Sequence, residues 1–572
     1  MKNPVEYLAE ETERSRYRIG VLFLFIALAF GAVQVYSCRY QLTPDGMDYL
    51  DIAHEIAARN WSAVANGYWG TLYSVLLAPI FLLPISAASE LPVVHSFGLL
   101  MLVVSFLCFR FFLQSCLDAL SESAAFSPDA SQTPIPAPAL SILGYVLFLW
   151  SALIIVPVKE IGPDVLVSAA IYLAAGMLLR LQRKSSVSKY LVFGAVLGIG
   201  YWAKAVMFPV GFIFLCVLML KIRRWKPVVL SAVAFSIVAA PLVAALSFPR
   251  NRFTFGDSGV LNYATFVSPG GRNINWQGDP PGSGIPKHAT RKITTRPAVY
   301  EFNGPIGGTY PPSYDPSYWN EGHQSTFNLR AQMAIVAAHL PQVIELLLVA
   351  QPSLIAVLLF FFFWGPYSYP DALRRWWHLL ALCGAIIGLY MLVHLEGRFI
   401  GACVVLIWFS LFCATRIPAD KKSRGIASAA VFGTVAAMLL SFSSDAAKAC
   451  LRGCTDSART HIEVAQGLKL PIGTPVAVIG AGNFSYWAHL SRVRIVAEIM
   501  QMDEGDFWSL AAPEQQRFFA AFRSTGAQWL IAQPPRVLVP SLAETWEPIG
   551  ATSYYRYSLS ATHEPRSSAA RR

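Results

Sequence analysis

The feature that most limits this chain is a succession of apolar stretches, each near the length of a membrane crossing and set apart by polar connectors. They lie at about 19–37, 92–114, 140–157, 164–181, 190–206, 207–221, 227–247, 343–363, 377–394, 399–416 and 425–443. A helix needs ~20 apolar residues to cross a hydrocarbon core, so the expected fold is an all-α polytopic membrane protein with about eleven transmembrane helices. Composition agrees, since 55% of the 572 residues are hydrophobic and 14% charged, against roughly 25% charged in soluble domains. That balance excludes a disordered chain, a small disulfide scaffold and an ordinary cytosolic enzyme. The net charge of +11 comes largely from Lys and Arg in short runs beside apolar segments. Such runs read as topology signals rather than a nucleic-acid footprint.

The basic connectors set the orientation. Arg180–Lys189, Lys221–Lys226, Arg374-Arg375 and Lys421–Arg424 are expected on the cytoplasmic side. Eleven crossings then put the N-terminus inside and the C-terminus outside, provided that Thr71–Ser86, which contains Pro79 and Pro84, does not cross once. The polar N-terminal residues show no signal-peptide cleavage pattern and precede a retained first span. The division is a transmembrane module, 1–443, with outer loops at 38–91 and 248–340, and an outer domain, 444–572. The tail alternates strand-like runs (Thr474–Ile479, Arg494–Ile499, Gln528–Gln533) with a helical run, Pro513–Thr525, which predicts a small α/β domain.

Nearly all polar chemistry falls outside. After Gly46, Tyr49, Ile52, Ala53, Ile56 and Ala57 recur at helical spacing, with Asp48, Asp51 and Glu55 on the other flank; this predicts an amphipathic helix on the membrane surface. Asp45 precedes that helix and reads either as its cap or as a functional acid. The second outer turn, Val158–Asp164, carries Lys159, Glu160 and Asp164. Lys204 and Arg398 sit at span ends, where they read as snorkelling anchors or as anion-binding cations. His394-Leu-Glu396-Gly-Arg398 also fits an internal Arg–Glu pair. In the third loop, Tyr310, Tyr314, Tyr318 and Trp319 read as a stacking platform for sugar rings, with Asp315 and Asn320 on hydroxyls, or as an aromatic lid on the membrane surface. Gly480-x-Gly482 lacks the third glycine of a dinucleotide fingerprint and reads as a structural turn. Cys450 and Cys454 share the outer tail, where a disulfide is chemically allowed. No HExxH, GxSxG or P-loop pattern occurs.

In order along the chain, Asp45-x-x-x-Tyr49-x-x-Ile52-Ala53, Tyr68–Pro79, Glu160–Asp164, Gly198–Lys204 and Gly397-Arg398-Phe399 resemble the motifs of GT-C glycosyltransferases. That group includes protein O-mannosyltransferases and aminoarabinose transferases of lipid A. Gly46 stands where the family usually has a second acid. The resemblance implies a membrane enzyme that moves a sugar, with inversion, from a polyprenyl-phosphate donor to an acceptor lipid, glycan or protein outside a bacterial inner membrane. It implies Asp45 as general base, Asp164 as its helper or a metal ligand, Asp48 as a third catalytic candidate, and Lys204 and Arg398 on the donor phosphate. Asp45, Asp164 and Glu160 are of the hard-oxygen type that holds a divalent ion, and relatives differ in whether they use one. The rival reading is a transporter or flippase of lipid-linked sugars, which places its polar groups near mid-membrane on broken helices. A third is a non-catalytic envelope-assembly protein anchored by its tail.

Overall fold

The structure is a computed structural model that describes residues 4–125, 131–181, 185–268, 291–302, 307–316, 318, 325–364, 369–452, 454, 457–536 and 545–559. The Gly270–Gly278 segment, Trp319 and Asn320 lie outside the described residues.

The helices up to the third outer loop are α1 (Pro4–Ser37), α2 (Pro44–Ala57), α3 (Thr71–Leu77), α4 (Ala87–Ala125), α5 (Ala137–Trp150), α6 (Asp164–Arg180), α7 (Val187–Ala203), α8 (Met207–Ile222) and α9 (Trp225–Ser247). Then come α10 (Ser258–Phe266), α11 (Pro311–Tyr314), α12 (Leu329–Ile344), α13 (Pro352–Trp364), α14 (Tyr369–Met391), α15 (Gly397–Ala414) and α16 (Lys421–Arg452). The outer domain adds α17 (Ser457–Leu468), α18 (Tyr486–Ser491), α19 (Glu504–Trp508) and α20 (Ala512–Ser524).

Seven helical stretches are long and apolar enough to cross a membrane by length and composition, namely those of α1, α4, α5, α9, α12, α15 and α16. One of them, α12, lies across the end of the bundle. Gln332 and His339 bond to the carbonyls of Leu392 and Met391, and Leu346, just beyond α12, packs near Gly397. Both ends of α12 therefore meet the turn between α14 and α15. Pro352 opens α13, which takes over the descent. Of the other helices, α7, α8 and α13 are apolar but shorter, and the eleven-crossing reading takes them with α6 and α14 as spans in place of α12. The span expected at 343–363 thus belongs mainly to α13. The chain is a multi-pass membrane protein.

The two ends of the bundle differ in chemistry. At one end Asp118 pairs with Arg16 and Arg180, each at 3.3 Å, and Lys221 donates to the carbonyls of Leu178 and Leu179. This is the end that the basic connectors assign to the cytoplasm. At the other end lie α2, α3, α10 and the outer domain. The stretch with Pro79 and Pro84 is α3 continued by a short 3-10 turn at Ala78–Leu82, an apolar helical run over Thr71–Leu82.

The outer domain has a seven-stranded sheet in the order β2-β3-β6-β5-β7-β9-β8. Its strands are β2 (Arg291–Thr295), β3 (Ala298–Glu301), β5 (Pro475–Gly480), β6 (Arg494–Met500), β7 (Trp529–Ala532), β8 (Glu547–Pro548) and β9 (Tyr555–Ser558); β1 (Gln132–Pro134) and β4 (Arg416–Pro418) pair separately. The centre is parallel, with β5 between β6 and β7, and the flanks are antiparallel. The β2–β3 hairpin comes from the third outer loop, so the sheet draws on residues well before 444. On one face, Phe507, Phe519, Phe522 and Trp546 close a core. On the other, Trp487, Val464 and Tyr310 pack together with Met47 of α2. The transmembrane module and outer domain thus share a core through α2.

A disulfide joins Cys38, at the outer end of α1, to Cys454. The Cys450–Cys454 bond that the sequence merely allows is not the one formed, because the fold returns Cys454 to the end of the first span.

Candidate active site

Asp45 lies in the first turn of α2, but it does not cap the helix. Thr43 is the N-cap, and its hydroxyl accepts from the Gly46 amide at 3.2 Å. The Asp45 carboxylate is therefore free to face outward, and its Oδ2 accepts from Arg398 Nη2 at 2.9 Å. Arg398, in the first turn of α15, also donates through Nε to Glu396 at 2.6 Å and lies 3.6 Å from Asp164. Asp164 begins α6, where a carboxylate suits the positive end of the helix dipole; its Oδ1 accepts from Lys204 Nζ at 2.7 Å. Lys204 sits just beyond α7, with its ammonium 3.7 Å from the centre of the Phe399 ring. Four elements distant in sequence thus deliver a continuous chain of charges, Lys204–Asp164–Arg398–Asp45.

Packing at Gly70 fixes the Lys204 end. A Cβ at Gly70 would lie 1.8 Å from the Ala203 carbonyl oxygen, so only glycine lets α3 approach the end of α7 so closely. Trp69, next to it, donates its indole N–H to the Ser313 carbonyl at 3.0 Å. Tyr68 donates to Asn262 of α10 at 2.8 Å.

Two cavities meet at the Asp45–Arg398 pair. The more enclosed one, about 570 Å³, is walled by Val206, Pro209, Phe255, Phe266, Leu389 and Val393, and Lys204, Asp164, Asp45 and Arg398 line it as well. The second, about 580 Å³, lies between Trp150, Ile154, Leu346 and Glu160 and touches Asp45, Glu396 and Arg398 from the opposite side. Burial would raise the Glu396 carboxyl, but its bond from His394 and the Arg398 charge hold it down at about 2. Glu396 is thus an anion that orients the guanidinium. Burial pushes Glu160 upward despite the nearby Lys159 and Arg398 charges.

Other expected site residues lie elsewhere. Asp48, expected on a solvated helix flank, is fully buried and accepts from Ser313 at 2.5 Å. Burial pushes its carboxyl well above the usual range, and it lines neither cavity. The reason is that the outer domain covers the flank of α2 that the sequence leaves polar. Tyr310 is buried among outer-domain side chains, and its hydroxyl donates to Glu498 at 2.8 Å; it offers no ring face to the cavity. Tyr314 packs on Gly307 and Gly308, and Asp315 terminates the short α11. From this loop, Ser313 and Pro316 reach the first cavity instead. Asp45 and Asp164 do not converge on one point with Glu160, because Arg398 stands between the two aspartates and pairs with both. Gly482 is no phosphate cradle, since the Tyr310 ring and the Glu498 carboxylate fill the space beside it.

Sequence reasoning left out Tyr68, Asn262, Tyr390 and Phe266, which complete the cavity wall. Tyr68 lies within a segment that carries part of the family resemblance, while Asn262 and Phe266 belong to a loop without regular periodicity.

No protein-family model and no curated protein matches the sequence. Among solved structures, the chain is similar to ArnT from Cupriavidus metallidurans bound to undecaprenyl phosphate, with a TM-score of 0.41 and 14% identity over 95% of this chain and 98% of that one. It is also similar to ArnT from the same organism in the apo state, with a TM-score of 0.40 and 13% identity over 94% and 97%. Each alignment spans nearly the whole of both chains.

Proposed function

We propose that this protein is a GT-C-type glycosyltransferase that moves a sugar from a polyprenyl-phosphate donor to a hydroxyl acceptor at the outer face of a bacterial inner membrane. The observation that carries the reading is the contact between Asp45 and Arg398 at the mouth of an apolar-walled cavity. An acid and a cation side by side at the end of a lipophilic space suit a lipid phosphate as leaving group.

The Asp45 carboxylate takes the proton of the acceptor hydroxyl as its oxygen bonds to the anomeric carbon. The bond from that carbon to the phosphate oxygen breaks, and its electron pair stays with the phosphate. Lys204 and Arg398 neutralise the charge that develops there. Attack opposite the leaving phosphate inverts the anomeric centre. Before donor binds, Asp164 and Glu396 hold the two cations in place, so little reorganisation is needed. The apolar wall takes the polyprenyl chain, and the second cavity admits the acceptor from the far side of Asp45.

The test is mass spectrometry of outer-surface glycoconjugates from cells with and without the gene. Loss of one sugar-sized increment, restored by the wild-type gene but not by Asp45→Asn, is expected. An unchanged spectrum, or restoration by Asp45→Asn, overturns the proposal.

A further inference from the structure

The first cavity is lined by more polar groups than a lipid phosphate needs. Three carboxylates reach it, and each already meets a cation: Asp45 and Glu396 bond to Arg398, and Asp164 bonds to Lys204. Among the described residues, Lys204 and Arg398 are the only Lys or Arg side chains in its lining. Apart from His394, which bonds to Glu396, the remaining polar groups there are neutral. Two of them are amides, Asn262 of α10 and Asn483 of the outer domain. We propose that Asn262 and Asn483 seat the donor's sugar and select an uncharged one. This inference rests on the glycosyl-transfer reading above and adds to it the class of sugar.

Asn262 is oriented by its neighbour. Burial and the Asp45 charge push the Tyr68 hydroxyl upward, so it keeps its proton and donates it to Asn262 Oδ1 at 2.8 Å. That bond engages the amide oxygen and leaves the NH2 group, which bonds to no described residue. Tyr68 stands close enough to Asp45 to feel its charge, so this amide lies near the place where the anomeric carbon must sit.

Asn483 is the one residue of the outer domain's C-terminal part, among those described, that lines the cavity. It occupies a 3-10 turn, Gly482–Phe484, just after β5, beside Thr43 and Pro44 at the start of α2. The turn is clamped from behind. A Cβ at Gly482 would lie 2.6 Å from both the Tyr310 ring and Glu498 Oε2, and the Tyr310 hydroxyl bonds to Glu498. That buried pair positions Asn483, whose own side chain bonds to no described residue.

A primary amide both donates and accepts, as neighbouring sugar hydroxyls do. A sugar ammonium would lose its water and find every carboxylate already shared with a cation. A sugar carboxylate would compete with the phosphate for Lys204 and Arg398. Neutral amides match hydroxyls and reward neither charge.

The experiment titrates undecaprenyl-phosphate lipids into full-length protein in nanodiscs. The panel is undecaprenyl phosphate alone, its glucose, mannose, galactose and arabinose derivatives, and its aminoarabinose and glucuronic acid derivatives. At least one neutral sugar should tighten binding about tenfold over the bare lipid, as a net hydrogen bond or two would, and neither charged sugar should. Asn262→Ala and Asn483→Ala should each erase most of that gain while the bare lipid binds as in wild type. Asn483→Asp keeps the size and supplies an unpaired carboxylate, so it should turn the preference toward aminoarabinose, which a merely structural role would not do. Failure of bare undecaprenyl phosphate to bind overturns the transfer reading and this one with it. If the bare lipid binds, the sugar seat alone is overturned by any of four results: no gain from a neutral sugar, an equal gain from a charged one, alanine variants that keep the gain, or an unchanged preference in Asn483→Asp.

Discussion

Asp45 Oδ2 and Arg398 Nη2 are 2.9 Å apart although 353 residues separate them in sequence. The pair ties the first turn of α2 to the first turn of α15 and places the proposed base against the proposed phosphate ligand. Since Thr43 caps α2, Asp45 is not needed to start its helix.

Asp45→Asn is therefore a clean probe. The amide oxygen still accepts from Arg398, and the cap is untouched. Loss of a general base predicts a fall of about 10²–10⁴-fold in turnover, with donor-lipid binding retained. A sugar-transfer assay in nanodiscs reads the first and lipid titration the second. Near-normal turnover removes Asp45 from the mechanism.

Lys204→Ala and Arg398→Ala should each weaken binding of undecaprenyl phosphate by tenfold or more, measured by titration into nanodiscs. Arg398 contacts Asp45, Asp164 and Glu396 with one planar group. Arg398→Lys keeps the charge but loses that fork, so only partial recovery is expected. Unaltered affinity in both alanine variants with unchanged melting takes the two cations out of the donor site.

Asp48 gives a pH test. Its folded carboxyl is raised well above the usual value by burial, so the folded state keeps a proton that the unfolded chain gives up. That contribution is fully present below the unfolded value of about 4 and is lost as pH rises above it, by at most ~1.4 kcal/mol per pH unit. Asp48→Asn mimics the protonated form and still accepts from Ser313. It should melt at or above wild type at pH 7, with the gap closing toward pH 4, and should transfer sugar normally. A variant that is less stable at pH 7 means that a charged Asp48 is structural.

Much of the fold is legible in order and hydropathy. The first-turn acid of α6 and the cations beside α7 and in α15 could be picked out because charges are rare between apolar runs. The failures have a common physical origin. Asp48 and Tyr310 read as exposed because α2 and the third loop are polar by local pattern. Only the docking of the third loop and the outer domain buries them, with Asp48 meeting Ser313 265 residues away and Tyr310 meeting Glu498 188 residues away. The partner of Cys38 was hidden for the same reason, since a pairing of residues 416 apart leaves no trace in local spacing. The position of α12 was equally obscure: it is as apolar as a crossing helix, and only its contacts with the turn at 391–397 show that it lies across the bundle.

The Cys38–Cys454 bond also tests the orientation on which the site depends. Both cysteines must face an oxidising compartment for the bond to persist, because cytosolic thiols are kept reduced. Alkaline phosphatase fused at Ser457, the start of α17, should be active, and a reporter that works only in the cytoplasm should be dark there. Peptide mapping without reductant should recover a fragment that joins residues 38 and 454. Cys454→Ser should cost about 2–4 kcal/mol of stability, read as a lower Tm, while leaving the Asp45–Arg398 contact and donor binding intact. A cytoplasmic signal at Ser457 together with two free thiols would invert the eleven-crossing topology and move Asp45, Lys204 and Arg398 to the wrong face for an outer acceptor.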